Sequence, residues 1–326
     1  MKFKKIILLV ILVAILIGIG IAFGIGGNKN KSNSKYKVVA SNFASYDFLR
    51  AIIGENRDIE LTFLLGPGKE VHSYDPTAQD LIKIQNSNLF VYVGGEMEKW
   101  TDKVLESLDT NKTEKICISD FVETIEEKEV DGAEEHEEDE EHHEEHEHEE
   151  GAFDEHIWTS PENAIKMVDA LEKAMEKVDK DNSNIYRENA NKYIEKIKEV
   201  DKKIQNIVDK KIRDRLVFAD KMPMQYFIDY YKLKVSAAFD GCSTETEPSA
   251  KTIAYLQNKV KEEKIPVILY IELNPGSVAR TIAEETGAEA IQIQTLHNVS
   301  LDDFNNGETW VSLMTRNIEV LKKVLQ

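Results

Sequence analysis

Between Asn184 and Lys211 the chain runs for about 28 residues without a glycine or a proline. Tyr186, Ala190, Tyr193, Ile197, Val200, Ile204 and Ile207 recur there at steps of three and four, which sets them along one face of a single helix. At 1.5 Å per residue such a helix is roughly 40 Å long. The apolar stripe lasts about four heptads and is flanked on both sides by a different pattern. That argues for a rigid strut between two folded parts rather than a coiled-coil arm.

The flanking sequence alternates short β-rich runs with amphipathic stretches. Strands are expected at 37–40, 59–65, 89–93 and 116–118, and again at 216–219, 234–239, 267–271 and 290–293. Helices are expected at 46–53, 77–84, 97–108 and 249–263. The fold class is therefore α/β, with two lobes of similar size, each built on a largely parallel sheet and joined by the long helix. The expected division is a leader and tether at 1–35, an amino-terminal lobe at 36–181, the linking helix at 182–211 and a carboxyl-terminal lobe at 212–326. With 326 residues, 41% of them hydrophobic, the chain can fill two ordinary cores.

Six of the eight histidines lie between Ala133 and Pro161. His136, His142, His143, His146 and His148 stand in a tract of almost nothing but Glu and Asp, and His156 follows in Asp154-Glu155-His156-Ile157-Trp158. Such a tract buries too little apolar surface to offset its ordering entropy, so residues 123–151 should form a solvated loop. Imidazoles spaced one to six residues apart can gather around a zinc-like ion, which makes these five an auxiliary, labile metal loop. The tract also explains the formal net charge of −19. Residues 123–150 hold 17 acids against Lys128 alone, and without that surplus the charge is about −3. No basic face interleaved with aromatic residues suggests nucleic acid.

Lys2, Lys4 and Lys5 precede an apolar run from Ile6 to about Phe23, followed by a polar tether. This reads as an export signal, and its length favours an uncleaved anchor on the outer face of the cytoplasmic membrane. A lipid on cysteine is excluded there, because the only cysteines are Cys117 and Cys242. A disulfide between those two is not expected, since one sits in a strand-like run and the other in a distant loop.

His72 and His297 stand alone in ordinary sequence. His72 lies in Gly66-Pro67-Gly68-Lys69-Glu70-Val71-His72-Ser73-Tyr74-Asp75-Pro76 after the second expected strand, and His297 follows the last. His156 occupies a turn before a helix opened by Pro161. Loops at the carboxyl ends of parallel strands are where α/β sheets place ligands, so all three could face one gap.

His72-Ser73-Tyr74-Asp75-Pro76, Gly94-Gly95-Glu96-Met97-Glu98-Lys99-Trp100, the acidic His-rich loop, Asp154-Glu155-His156-Ile157-Trp158, Glu247-Pro248-Ser249 and Ala283-Glu284-Glu285-Thr286-Gly287-Ala288 together carry a family likeness. From Lys37 to Leu325 the chain resembles the solute-binding proteins of zinc and manganese ABC importers. The resemblance implies His72 and His156 as metal ligands, with His297 where the family usually places its last, acidic ligand. At the family's remaining position the chain has Lys221, and an ammonium has no lone pair to donate. Asp220 is the expected fourth donor, with Cys242, Glu245 and Glu247 as alternatives; Glu247 equally suits a helix start and Cys242 a small buried residue.

Three imidazoles with one carboxylate suit Zn(II) better than Mn(II). The function implied is extracytoplasmic zinc capture, as a monomer, with delivery to an ABC permease in the membrane and no catalysis. A zinc-dependent extracellular hydrolase is the alternative of another class. It would need an open coordination position, with Glu245 or Glu247 as base, and no His-Glu-x-x-His helix is present. A surface adhesin of the same fold would carry the same ligand loops.

Overall fold

Val38-Val39-Ala40 and Leu89-Phe90-Val91 are buried at every position, the pattern of strands covered on both faces in parallel sheets. The computed structural model describes residues 34–133, 153–241, 243 and 247–326. Strands β1 (Tyr36–Ala40), β2 (Ile59–Phe63), β3 (Leu89–Tyr92) and β4 (Glu114–Cys117) form one sheet in the order β2-β1-β3-β4, with every neighbour parallel. Strands β5 (Arg215–Lys221), β6 (Lys234–Phe239), β7 (Val267–Tyr270) and β8 (Glu289–Gln292) form a second parallel sheet in the order β6-β5-β7-β8. Each sheet thus reverses its winding at its first strand, which opens a crevice at the carboxyl ends.

The helices start where local chemistry allows. Asn42 accepts the Ser45 N–H to open α1 (Phe43–Ile53), and Thr77 with Asp80 forms a capping box on α2 (Ala78–Gln85). Helix α3 (Thr101–Ser107) begins later than expected, after a 3-10 turn at Glu96–Glu98. The cause is the buried Glu98 carboxylate, which turns back to accept the Val93 and Gly94 N–H groups at 2.5 and 3.1 Å. Burial pushes that carboxyl up to about 7, partly offset by these hydrogen bonds.

Ser160 caps α4 (Pro161–Val178), whose first turn contains Pro161. The long helix is α5 (Ser183–Val208), 26 residues, and all seven residues of its apolar stripe are buried. It packs on α1, α4 and the last helix, α10 (Trp310–Leu325), so the strut is flanked along its length. Helices α6 (Gln225–Tyr231), α7 (Ala250–Glu262) and α8 (Ser277–Thr286) accompany the strands of the second sheet, whereas α9 (Leu301–Asn305) sets Phe304 against Tyr46 of α1 and Phe63 of β2. One apolar cluster runs from Val38 through the stripe of α5 to Leu325, and residues Tyr36–Gln326 make one compact unit.

The segment approaching the acidic tract lies along the second sheet: Asp131 bridges Ser236 of β6 in parallel, and its carboxylate takes Arg215 at 3.0 Å. The tract histidines His136, His142, His143, His146 and His148 lie outside the described residues, as do the expected export segment and Cys242. Cys117 is free, with its thiol against the Val93 carbonyl at 3.2 Å. Among the described residues no helix is long and apolar enough to cross a membrane.

Candidate metal centre

Three loops at the carboxyl ends of the two sheets converge on one point. The loop after β2 bends at Gly66 and Gly68, both at positive φ, and Gly68 donates to the Val299 carbonyl of the loop after β8 at 2.8 Å. That contact brings His72 against His297. His156 is the residue before a 3-10 turn at Ile157–Thr159, where Asp154 Oδ1 accepts its backbone N–H at 2.8 Å and faces Nδ1 at 3.0 Å. Gly241 of the second half passes over this ring; an added Cβ there would meet His156 Cε1 at 3.4 Å and the Met222 carbonyl at 3.1 Å.

His297 is aimed by a buried carboxylate. Glu272, at the end of β7, accepts the Thr295 N–H at 2.9 Å, the Thr295 hydroxyl at 2.8 Å and the Asn298 N–H at 3.1 Å. Leu296, between them, is held at φ 57°, a left-handed backbone that a leucine adopts only when its surroundings impose it.

The ring centroids lie 4.9 Å apart for His72–His297 and His156–His297, and 6.0 Å apart for His72–His156. One ligand atom from each lies within 4.8 Å of the others. The Nε2 atoms of all three are buried and have no hydrogen-bond partner. Polar atoms buried without partners are costly, and three converging on one point call for a common partner. Tetrahedral zinc with bonds near 2.05 Å holds its donors roughly 3.3 Å apart, so a small inward movement of the rings would complete the set.

Burial pushes the His72 imidazolium down to about 3, with His156 and Lys221 adding to it. His297 is lowered well below its ordinary value by burial, then by His156 and His72. For His156, burial also opposes the charge and is the largest single effect, but the carboxylates of Asp154, Glu155 and Glu127 together outweigh it and the group is raised. His72 and His297 therefore offer free lone pairs at neutral pH, while His156 must give up one proton to ligate. Affinity for a divalent metal is expected to fall about tenfold per pH unit below the raised value of His156, with one proton released per ion between pH 5 and 6.5. A slope near three in log Kd against pH would contradict this.

Asp220, the expected fourth donor, has both carboxylate oxygens engaged by backbone N–H groups. Its Oδ1 accepts the Lys221 N–H at 2.8 Å and its Oδ2 the Ile271 N–H at 3.1 Å, so it ties the end of β5 to the end of β7. It does not belong to the donor cluster found among the described residues. Glu247 is exposed and precedes Ser249, the cap of α7, so its place is at a helix start. Cys242 and Glu245 lie outside the described residues. The acid that does approach is Glu70, whose Oε1 lies 3.9 Å from His297 Nε2. Its only signal in the sequence was its place two residues before His72.

Behind the histidines the halves are wired together. The Trp158 indole N–H donates to the Thr295 carbonyl at 3.1 Å, and the Trp310 indole N–H donates to the Trp158 carbonyl at 2.9 Å. The Trp310 backbone N–H in turn reaches Asp47 of α1 at 2.7 Å, and Tyr193 of α5 hydrogen-bonds the same carboxylate.

Comparison with known proteins places this geometry. The model of the ZnuA family, described as zinc-uptake complex component A, periplasmic, matches residues 38–324. The zinc-binding lipoprotein AdcA of Streptococcus pneumoniae is 31% identical over 292 residues, covering 90% of this chain; the chain spans only 56% of that relative's length. The high-affinity zinc uptake system protein ZnuA of Bacillus subtilis is 31% identical over 291 residues, covering 89% of this chain and 88% of the relative. The crystal structure of the Zn(II)-bound ZnuA-like domain of S. pneumoniae AdcA superposes with a TM-score of 0.72 at 28% identity, covering 89% of this chain and 99% of that one.

Proposed function

Because the chain belongs to the ZnuA family of zinc-uptake components, we propose that it captures Zn(II) outside the cytoplasm with His72, His156 and His297 and passes it to the permease of an ABC importer. The observation that carries this is that the three histidines each bring a ligand atom within 4.8 Å of the others and each leave a buried Nε2 without a hydrogen-bond partner. The ion is cargo and the chain a transport component, not an enzyme.

Glu70 is our fourth donor in place of Asp220. Its carboxylate neutralises part of the ion's charge, which three neutral imidazoles leave untouched. Imidazole-rich sites favour zinc over manganese, whose sites are richer in oxygen. Residues 36–181 and 212–326 serve as two lobes braced by α5 (Ser183–Val208), and the acidic His-rich stretch within 123–151 gathers zinc. Residues 1–35 tether the chain, as a monomer, to the outer face of the cytoplasmic membrane. The relative AdcA is a lipoprotein, whereas residues 1–35 here contain no cysteine to carry a lipid.

Since the donors arrive from both halves and the tryptophan relay already joins them, release proceeds by small movements of the ligand loops rather than by wide opening. Equilibrium dialysis against Zn(II) and Mn(II), with bound metal counted by mass spectrometry, tests the reading. Zinc should be retained over manganese at more than one ion per chain, falling to one when residues 133–150 are deleted. Free zinc a hundredfold above its Kd should stabilise the fold by about 2.7 kcal/mol. Retained manganese, or an unmoved thermal midpoint, would refute it.

A further inference from the structure

Where the family resemblance leads one to expect a donor, at the end of β5, the chain carries a cation. Lys221 is buried, 5% exposed, and its Nζ lies 4.0 Å from Glu70 Oε2. The other oxygen of that carboxylate, Oε1, lies 3.9 Å from His297 Nε2. Glu70 therefore stands between the lysine and the imidazole cluster and is attracted by both a resident charge and any metal that enters.

The ammonium stands one carboxylate away from the cluster, 4.0 Å from Glu70, whose other oxygen is 3.9 Å from His297 Nε2, so its field opposes positive charge there. A field that opposes a proton there opposes a divalent ion more strongly, because the interaction scales with the product of charges. Lys221 and His297 are both buried, so solvent screens the field between them less than at the surface.

Resting on the three-imidazole site above, we propose that Lys221 is a built-in competitor for the bound ion: it draws on the carboxylate of Glu70 and repels the metal, lowering affinity and speeding release. A carrier must surrender its cargo, and differences in affinity among variants of one site reside mostly in dissociation. Lys221 donates nothing to the ion; it positions Glu70 and sets how long the ion stays.

The test uses the full chain, solubilised in detergent, with zinc alone as the probe. Dissociation into excess chelator is followed by stopped flow, and Kd by chelator competition, for the wild type, Lys221→Met, Lys221→Gln and Glu70→Gln, with Lys221→Met repeated in the Glu70→Gln background. Lys221→Met and Lys221→Gln should each tighten zinc about tenfold, with most of the change in a slower off-rate. Glu70→Gln should weaken binding, and in that background the gain from Lys221→Met should shrink to about threefold, because only the repulsion remains. Circular dichroism without metal identifies any variant that fails to fold, and either uncharged variant suffices. If the wild type holds zinc and both uncharged variants leave Kd and off-rate unchanged, or weaken binding, the competitor role is wrong while the site stands. If the wild type holds no zinc, the site and the competitor fall together.

Discussion

His156→Ala leaves a chain that folds but binds zinc more than about a hundredfold more weakly. Loss of an outer partner of a metal ligand typically costs 10–100-fold, and His156 is proposed above as a ligand itself. The ring is fully buried, its Nδ1 is engaged by Asp154 at 3.0 Å, and only Nε2 is left to bind a metal. Asp154→Asn should show the smaller, outer-partner effect, since it loosens the ring without removing the donor. Chelator competition on both variants is the measurement. Equal affinities for His156→Ala and the wild type would remove the central histidine from the site.

Trp158→Ala should lower stability by about 3–5 kcal/mol, the usual cost of deleting a buried tryptophan side chain. For a chain of this size that is roughly 6–15 °C in Tm. Trp158 is 1% exposed, packs edge-on against His156 and donates to the Thr295 carbonyl. Its backbone carbonyl accepts the Trp310 indole, so the loops of His156 and His297 and the start of α10 meet at this one residue, of which the ring supplies the bond to Thr295. Trp158→Phe, which removes the donor but keeps most of the packing, should lose less stability and still loosen zinc. A thermal melt that shows Trp158→Ala within 1 °C of the wild type would mean that the relay contributes nothing to the fold.

The reach of the sequence differs between the two kinds of residue on which the site depends. His72 and His297 could be picked out because each stands in a loop that follows a strand, and His156 because it stands in a turn before the helix opened by Pro161, places that strand and helix periodicity locate without any knowledge of packing. Asp220 and Lys221 could not be told apart in the same way. They are neighbours on β5, and successive side chains of a strand point to opposite sides. Only the register of β5 against β7 turns the aspartate toward the Ile271 N–H and leaves the lysine near Glu70. Glu70 itself lies in an irregular loop with two glycines at positive φ, whose path no period predicts. The start of α3 moved for a similar reason: the buried carboxylate of Glu98 holds the backbone of Val93 and Gly94 and delays the helix.

The sequence alone determined the parallel α/β pattern, the single long helix with its buried stripe, and the identity of the three imidazoles. These follow from local periods and from residue chemistry, which act within a few residues along the chain. The tertiary structure alone decided that the three rings meet, that Glu70 comes within 3.9 Å of His297, and that Lys221 stands beside that carboxylate. Those outcomes depend on the register between strands and on loops joined across the two sheets, interactions between residues far apart along the chain.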